Sequence, residues 1–459
     1  MVRITFDRGT VLVEGEPESL KPVRDLMVWD ERVRAFRAEA RHYGPIALSL
    51  HRRGIPFSDE AKQFDKRAFT GYDEHPPRPH QKESLAAWNS SSRRGVVVLP
   101  TGAGKSLVAR LAITMVQRDV LILVPTIDLM HQWVEQLGQV FRDETIGIMG
   151  GGDFQVEPIT VSTYDSALIH MERLGNRFGF LICDECHHLP APTTRQIAVM
   201  SMAPFRLGLT ATPERTDGAE EDLYALLGPL CHRCEITELE GAYLAPYQLE
   251  RVSVALDPDE REAYDIAYTR YRSFAAANGI HFGAKNGWNR FIQVCARSRE
   301  GREAFAAYHL QKRLSRASRS KLRQVWSLLR FHPGEQALLF TDDNATAYTI
   351  GETFFLPVIT HKTRVSERKS LLQAFREKRV NALVTSRVLN EGVDVPDVAV
   401  GIIVSGTGSV REHVQRLGRI LRPKEGKQAI LYELVSAETA ETFTSERRRQ
   451  HLAYQRDFV

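Results

Sequence analysis

The stretch VVVLPTGAGKSLVARLAITMV, residues 96–116, constrains the fold more than any other part of the chain. An apolar run without polar alternation reads as a strand buried on both faces, and Gly102 and Gly104 follow where the chain must turn. Beyond them Leu107, Val108, Leu111 and Met115 recur on one face of a helix. A strand passing through a glycine loop into a helix presents backbone amides at the helix N-terminus, which is a cradle for phosphate. Thr101, Gly102, Ala103 and Gly104 would form the cradle, Lys105 would reach the outer phosphates of a nucleotide, and the Ser106 hydroxyl would ligate Mg²⁺. The usual phosphate-loop pattern has a further glycine at the position of Leu99; the strand, loop and helix context compensates for its absence.

The surrounding sequence repeats this plan. DVLILVP, PITVST, GFLICD and RLGLTA are short apolar runs, each followed by a polar or amphipathic stretch, the signature of a parallel sheet flanked by helices. The pattern restarts at QALLFT and continues through LPVIT, VNALVT, VAVGIIVS and QAILYELV, giving a second α/β unit. Residues 241–330 hold few strand-like runs and read as a helical connector. At the N-terminus VRITF, the turn DRG and VLVEG predict a hairpin, followed by a helix at WDERVRAFRAEARHY. Four parts are expected: a small α+β domain over 1–65, an α/β domain over 76–240, the helical part over 241–330 and a second α/β domain over 331–459.

Charge is unevenly distributed. The chain carries a net +4, yet residues 289–330 hold eleven Lys and Arg against two acids, while residues 213–262 are net negative by nine. The basic segment is the natural candidate for a polyanion contact, and Phe291, Tyr308 and Trp326 within it would either pack the helices or meet nucleic acid. Five cysteines in 459 residues are too few for a disulfide framework, no window approaches the roughly 18 apolar residues of a membrane span, and the first residues lack a signal-peptide run. The expectation is a soluble, cytoplasmic protein with no membrane contact.

LICDECHHLP, residues 181–190, raises two readings. Cys183 and Cys186 share C-x-x-C spacing with Cys231 and Cys234, which suggests a zinc site. If the apolar run continues as a strand, however, the first two cysteines point to opposite faces. The better reading places Asp184 at a strand end as a Mg²⁺ ligand and Glu185 beside it to orient an attacking water, with the cysteines as small apolar groups. His187 would sense the terminal phosphate or sit satisfied in the core.

LPTGAGKS, DECHH, LTATP, VLNEGVDVP and QRLGRILRP, in that order, resemble motifs I, II, III, V and VI of superfamily 2 helicases, and the chain is most similar to the XPB-type DNA helicases of archaea and bacteria. PRPHQKESL and the closing FTSERRRQHLAYQ are also similar to that subfamily. The resemblance covers nearly the whole chain and implies two RecA-like motor domains, a helical thumb-like insert and an N-terminal damage-recognition domain. It implies ATP and Mg²⁺ as cofactors, DNA forks and junctions as the partner, 3′ to 5′ polarity, and work in nucleotide excision repair or transcription. The short stretch after motif VI suggests a prokaryotic, nucleoid-associated form.

Carried over by motif, the resemblance has Gln81 read the adenine and places Gly392 and Asp394 at the nucleotide. Gln415, Arg419 and Arg422 would project into the catalytic cleft, the arginines neutralising charge on the transferring phosphoryl group, a contribution of about 10³ to 10⁵ in rate for such residues generally. Thr210 and Thr212 would couple hydrolysis to DNA. Thr126, Thr163, Tyr164 and Thr385 are candidate contacts to the DNA backbone, which a motor tracks without reading bases, and Trp133 is expected in the core. XPB proteins carry Arg-Glu-Asp after motif III, where this chain has Arg215, Thr216 and Asp217. That departure keeps a duplex translocase of restriction or remodelling type, opening no strands, beside the helicase reading. A non-catalytic DNA-binding scaffold is the third reading, opposed by the presence of Glu185. The chain shows no nuclease constellation, which leaves room for a separate partner nuclease.

Overall fold

The computed structural model describes residues 1–73, 76–214, 218, 220–239, 243, 247–284, 286–386, 398–406 and 429–449. The chain divides into two units near residue 240. The first opens with a five-stranded sheet, made of β1 (Val2–Asp7), β2 (Thr10–Glu14), β3 (Val28–Asp30), β4 (Ala35–Glu39) and β5 (Phe57–Asp59) in the order β3-β4-β2-β1-β5. β1 and β2 form the expected hairpin, closed by Arg8 and Gly9 with φ of 44° and 78°, the paired left-handed residues of a tight hairpin turn.

The helix expected at WDERVRAFRAEARHY does not form. β3 and β4 make a second hairpin there, and a helix begins only at Tyr43, running to Arg52. The turn prevails because Arg34 adopts a left-handed φ of 52° and Asp30 accepts hydrogen bonds from the Arg32 amide and from the Arg32 and Arg37 guanidiniums. Those hydrogen bonds, Arg32's foremost, hold the Asp30 carboxyl well below the usual carboxylate range. Ala35 and Ala38 are buried once β4 pairs with β2.

This small sheet shares its core with the adjoining part of the first unit. Met202 and Phe64 belong to the same buried cluster as Val2, Ile4, Val11, Ile46 and Leu50. Asn176 donates its amide to the Ala61 carbonyl, and a Cβ on Gly9 would lie 2.5 Å from Met200 Cγ, so the hairpin turn is seated directly on the next layer.

The next sheet has eight strands: β6 (Arg94–Val98), β7 (Val120–Val124), β8 (Ile146–Gly150), β9 (Asp153–Gln155), β10 (Ile159–Thr163), β11 (Phe180–Asp184), β12 (Phe205–Thr210) and β13 (Leu230–Arg233). Their order is β13-β6-β12-β11-β7-β10-β8-β9, and every pair is parallel except β8 with β9. β7, β10 and β11 are buried along their whole length, which explains their unbroken apolar or small-residue composition. The helix Lys105–Val116 buries Val108, Ala109, Ala112, Ile113 and Val116, while Leu111 and Met115 are only half-buried. Its small alanines face the core, and the stripe is rotated from the one expected.

The second unit contains a six-stranded sheet, all parallel: β14 (Tyr247–Val254), β15 (Ala337–Phe340), β16 (Val358–Ile359), β17 (Ala382–Thr385), β18 (Val400–Ile403) and β19 (Ala429–Ser436), in the order β14-β19-β18-β15-β17-β16. The segment expected to be helical therefore starts with a strand, β14, whose eight residues pair with the whole of β19. Three helices, Pro258–Ala277, Gly287–Cys295 and Arg299–Arg316, close on an aromatic core in which Phe291 is fully buried and Tyr271, Phe282, Trp288 and Tyr308 surround it. The fourth, Arg319–Phe331, packs Val325 and Leu328 on the sheet residues Leu339 and Ile402. Trp326 stays half-exposed and stacks on Phe354 at 5.6 Å. No described helix is long and apolar enough to cross a membrane.

Much of the basic segment is neutralised within this unit. Asp257 pairs with Arg323 and Arg319, Arg319 also with Asp259 and Glu260, and Arg316 with Asp342 and Asp343. Lys321 is fully buried, donating to Glu441 and to the carbonyls of Ser315 and Val404. Arg290, Arg297, Arg302, Arg313 and Arg330 remain exposed and without an ion pair among the described residues. Breaking the buried pair by Lys321→Ala strands the Glu441 carboxylate, and a loss of about 3–5 kcal/mol is expected in urea unfolding of this unit. The double variant Lys321→Met, Glu441→Leu should recover most of that loss, because it removes both charges.

Candidate active site

The C-terminal ends of β6, β12, β11, β7 and β10 lie side by side in the eight-stranded sheet, and the loops that leave them carry the candidate residues. After β6 the chain turns through Thr101 to Gly104, with Gly102 and Gly104 at φ of 87° and 85°. Gly104 is the residue before the helix Lys105–Val116, and no side chain caps that helix start. Its first amides are thus offered at the loop, the geometry that binds phosphate. Lys105 lies over the loop, its Nζ 3.4 Å from the Leu99 carbonyl and 3.9 Å from a Glu185 carboxylate oxygen. Ser106 is half-buried one residue further on.

β11 ends at Asp184, and Glu185 takes a left-handed φ of 46°. That turn brings Cys186 back into the same apolar cluster as Cys183, so the two cysteines share one side rather than opposing faces as a continued strand would require. Burial raises both thiols, Cys183 to about 12, and keeps them as protonated apolar groups. Asp184 is almost fully buried; burial and the neighbouring Glu185 carboxylate push its pKa up, against the opposing pull of Lys105. His187 is buried with Nδ1 3.1 Å from Thr210 Oγ1 and 3.5 Å from a Glu185 oxygen, which ties β11 to β12. Thr210 Oγ1 in turn donates to the Thr212 carbonyl.

Three buried side-chain oxygens in these loops, on Thr101, Glu185 and Thr212, have no hydrogen-bond partner among the described residues. The Thr101 and Thr212 hydroxyls can donate to phosphate oxygens and the Glu185 oxygen can accept from a water, so beside a lysine and a glycine-bound helix start they fit a triphosphate with its hydrated Mg²⁺. Asp184 and Ser106 are the oxygens suited to hold the ion.

Gln81, at the start of the helix Pro79–Ser90, is engaged at both ends of its amide: Oε1 accepts from the Arg78 amide and Nε2 donates to the Ala103 carbonyl. His80 Nε2 lies 2.9 Å from the same carbonyl, so this helix clasps the phosphate loop. Sequence reasoning missed His80, although it adjoins Gln81. Thr126 and Thr163 cap the helices Ile127–Val140 and Tyr164–Leu174, accepting from the amides of Leu129 and Ser166. Tyr164, expected at the DNA, is buried instead, with its hydroxyl donating to the Asp184 carbonyl. Trp133 is buried as expected and also donates Nε1 to Asp184 Oδ2. Thr385 ends β17 fully buried, its hydroxyl donating to the Ser386 carbonyl. Arg215, Asp217, Gly392, Asp394, Gln415, Arg419 and Arg422 lie outside the described residues.

A largely parallel sheet that carries a phosphate loop after one strand and an Asp-Glu pair at the end of another, followed by a second parallel sheet, defines a phosphate-loop nucleotide-binding protein of α/β architecture. The fold is shared with the Hef helicase domain of Pyrococcus furiosus, at a TM-score of 0.53 and 18% identity over 81% of this chain and 98% of that one. Residues 4–61 match the Xeroderma pigmentosum group B helicase damage recognition domain, residues 74–215 the type III restriction enzyme res subunit, and residues 302–457 the ERCC3/RAD25/XPB C-terminal helicase. The chain is 37% identical to the DNA 3′-5′ translocase XPB2 of Sulfurisphaera tokodaii, over 98% of its own length and 100% of that protein. It is 32% identical to the DNA 3′-5′ helicase XPB of Mycobacterium tuberculosis, over 98% of this chain and 77% of that one. The chain belongs to the XPB family of DNA helicases and translocases.

The electrostatics of the strand end yield a prediction. Asp184 titrates higher in the folded chain than unfolded, so above its folded pKa its charge is a cost to stability, relieved as pH falls and the carboxyl is protonated. Without nucleotide or Mg²⁺, Asp184→Asn is expected to raise the unfolding midpoint of the first unit at pH 7.5 by about 2–4 °C. The gap should close toward pH 5, which differential scanning fluorimetry across pH would read.

Proposed function

We propose that the protein is an ATP-driven DNA motor that moves 3′ to 5′ and opens or remodels DNA during nucleotide excision repair or transcription in the cytoplasm of a prokaryotic cell. The observation that carries the ATP assignment is the convergence of Lys105, Asp184, Glu185 and the orphaned oxygens of Thr101 and Thr212 on the loop ends of one sheet. In this reading the amides of Thr101 to Ser106 hold the phosphates, Lys105 leaves Glu185 for the outer phosphate, and Glu185 orients the attacking water. Asp184 and Ser106 would hold Mg²⁺, which would supply positive charge to offset that of the phosphates. Gln81 reads the base, Gly392 and Asp394 meet the nucleotide, and Gln415, Arg419 and Arg422 act on the transferring phosphoryl group.

His187 and Thr210 support a coupling role for the loop after β12, since a shift at Glu185 reaches Thr212 through one close contact to His187 and two hydrogen bonds. Thr126 and Thr163 are proposed at the DNA backbone, together with Arg215 and Asp217; Thr385, expected there as well, is fully buried with its hydroxyl spent on the Ser386 carbonyl and is not proposed there. The five arginines of residues 290–330 that are exposed and without an ion pair among the described residues are proposed as cations for duplex phosphates. A second reading, translocation along duplex DNA without strand separation, is favoured by Thr216 in place of the family's central carboxylate and by the translocase name of the Sulfurisphaera tokodaii relative. A partner nuclease is proposed as a separate chain.

Steady-state ATP hydrolysis measured with no nucleic acid, single-stranded DNA, duplex, fork and RNA tests the reading. Strong stimulation by DNA, lost in Glu185→Gln, is expected; preference for fork over duplex supports strand opening, and the reverse supports translocation. No stimulation by any of them would overturn the motor assignment. In a second experiment, replacing Arg290, Arg297, Arg302 and Arg313 together by Gln should flatten the dependence of log K for duplex on log salt by about 3 to 4. An unchanged slope would show that these arginines are simply solvated.

A further inference from the structure

Asp184 is held by two aromatic side chains that neither the motifs nor the family comparisons assign. Its carboxylate accepts from the Trp133 indole N–H at 2.9 Å through Oδ2 and from the Glu185 amide at 3.0 Å through Oδ1. Its backbone carbonyl accepts from the Tyr164 hydroxyl at 2.9 Å. Trp133 and Tyr164 are 2% and 4% exposed, so both hydrogen bonds are shielded from water and neither donor has a solvent alternative. An indole N–H can only donate, which makes its acceptor the charged oxygen and fixes the carboxylate rotamer from one side. The two donors come from different helices. Trp133 lies two turns into Ile127–Val140, whose N-cap is Thr126, and Tyr164 is the first residue of Tyr164–Leu174, whose N-cap is Thr163.

We propose that Trp133 and Tyr164 are positioning residues that aim the Asp184 carboxylate at its Mg²⁺ and set its place from the two helices that start at Thr126 and Thr163. This rests on the assignment of Asp184 as the ion's ligand. Each helix is joined to Asp184 by one rigid side chain. A displacement of either helix along its axis therefore moves an Asp184 oxygen without any intervening flexible segment. Hydrogen-bond donors to metal-ligating groups commonly change metal affinity by about 10- to 100-fold when removed.

The test uses the full-length chain and Trp133→Phe and Tyr164→Phe, each of which keeps a ring and deletes one donor. The readout is the Mg²⁺ concentration that half-saturates binding of a fluorescent, non-hydrolysable ATP analogue, with and without duplex DNA, alongside thermal unfolding. Trp133→Phe is expected to raise that concentration by about tenfold, and Tyr164→Phe to raise it by a smaller factor, chiefly in the presence of DNA. Folded variants with the wild-type Mg²⁺ midpoint, whatever their ATPase rate, would overturn the proposal, since loss of packing alone lowers activity without moving the midpoint. If Trp133→Phe fails to fold, the Tyr164→Phe midpoint decides. Asp184→Asn is run beside them: binding that keeps its Mg²⁺ dependence in that variant would sink the ligand assignment itself, an outcome distinct from failure of the two aromatic variants.

Discussion

A carboxylate at the end of a central parallel strand is the constraint around which the first unit is arranged. β11 is hydrogen-bonded on one side to β7 and on the other to β12, so Asp184 cannot shift without disturbing both neighbours. Putting a charge there is costly in a nearly water-free setting, and the surrounding loops supply what offsets it: an indole, a backbone amide and the nearby Lys105. Burial and the adjacent Glu185 carboxylate still push the Asp184 pKa up. A site left partly unsatisfied in the absence of its ligand has free energy available for binding it, which is the usual relation between an unstable strand end and a cation site.

The elements that were legible in the sequence are those whose signal is local. Unbroken apolar runs announced β6, β7, β10, β11 and β12 because strands covered on both faces need no polar residue. The phosphate loop was legible because two left-handed glycines are hard to replace. The failures have the opposite character. Trp29 to Tyr43 has the composition of a helix, and only the edge of β2 and the carboxylate of Asp30, distant or outward-facing in a helix, make it a hairpin. β14 reads as connector because an edge strand alternates polar and apolar residues and is defined by its partner β19, some 180 residues away. Cys186 shared a face with Cys183 because of one backbone angle at Glu185 that no residue-type rule predicts.

The same distinction separates the site residues. Lys105, Ser106, Asp184 and Glu185 were visible as motif positions, whereas Trp133 and Tyr164 were visible only as an apolar residue and a hydroxyl. A buried tryptophan satisfies a packing pattern whether or not its N–H has work to do, so its acceptor has to be seen. Charge told a comparable story. A run of eleven cations suggested a polyanion surface, yet four of them are committed to Asp257, Asp259, Glu260, Asp342, Asp343 and Glu441, acids mostly far away in sequence. Local charge counts describe a surface only after long-range pairing has been subtracted.

The N-terminal sheet shares a buried cluster with Met202, and its hairpin turn rests against Met200. In mechanical terms it is a stylus bolted to its carriage rather than a probe on a string. Whatever the small sheet meets is met at a fixed distance from the phosphate loop, because the two share one buried core. Cutting it away would bare Phe64 and Met202 to water, so removal of the small sheet would injure the engine as well.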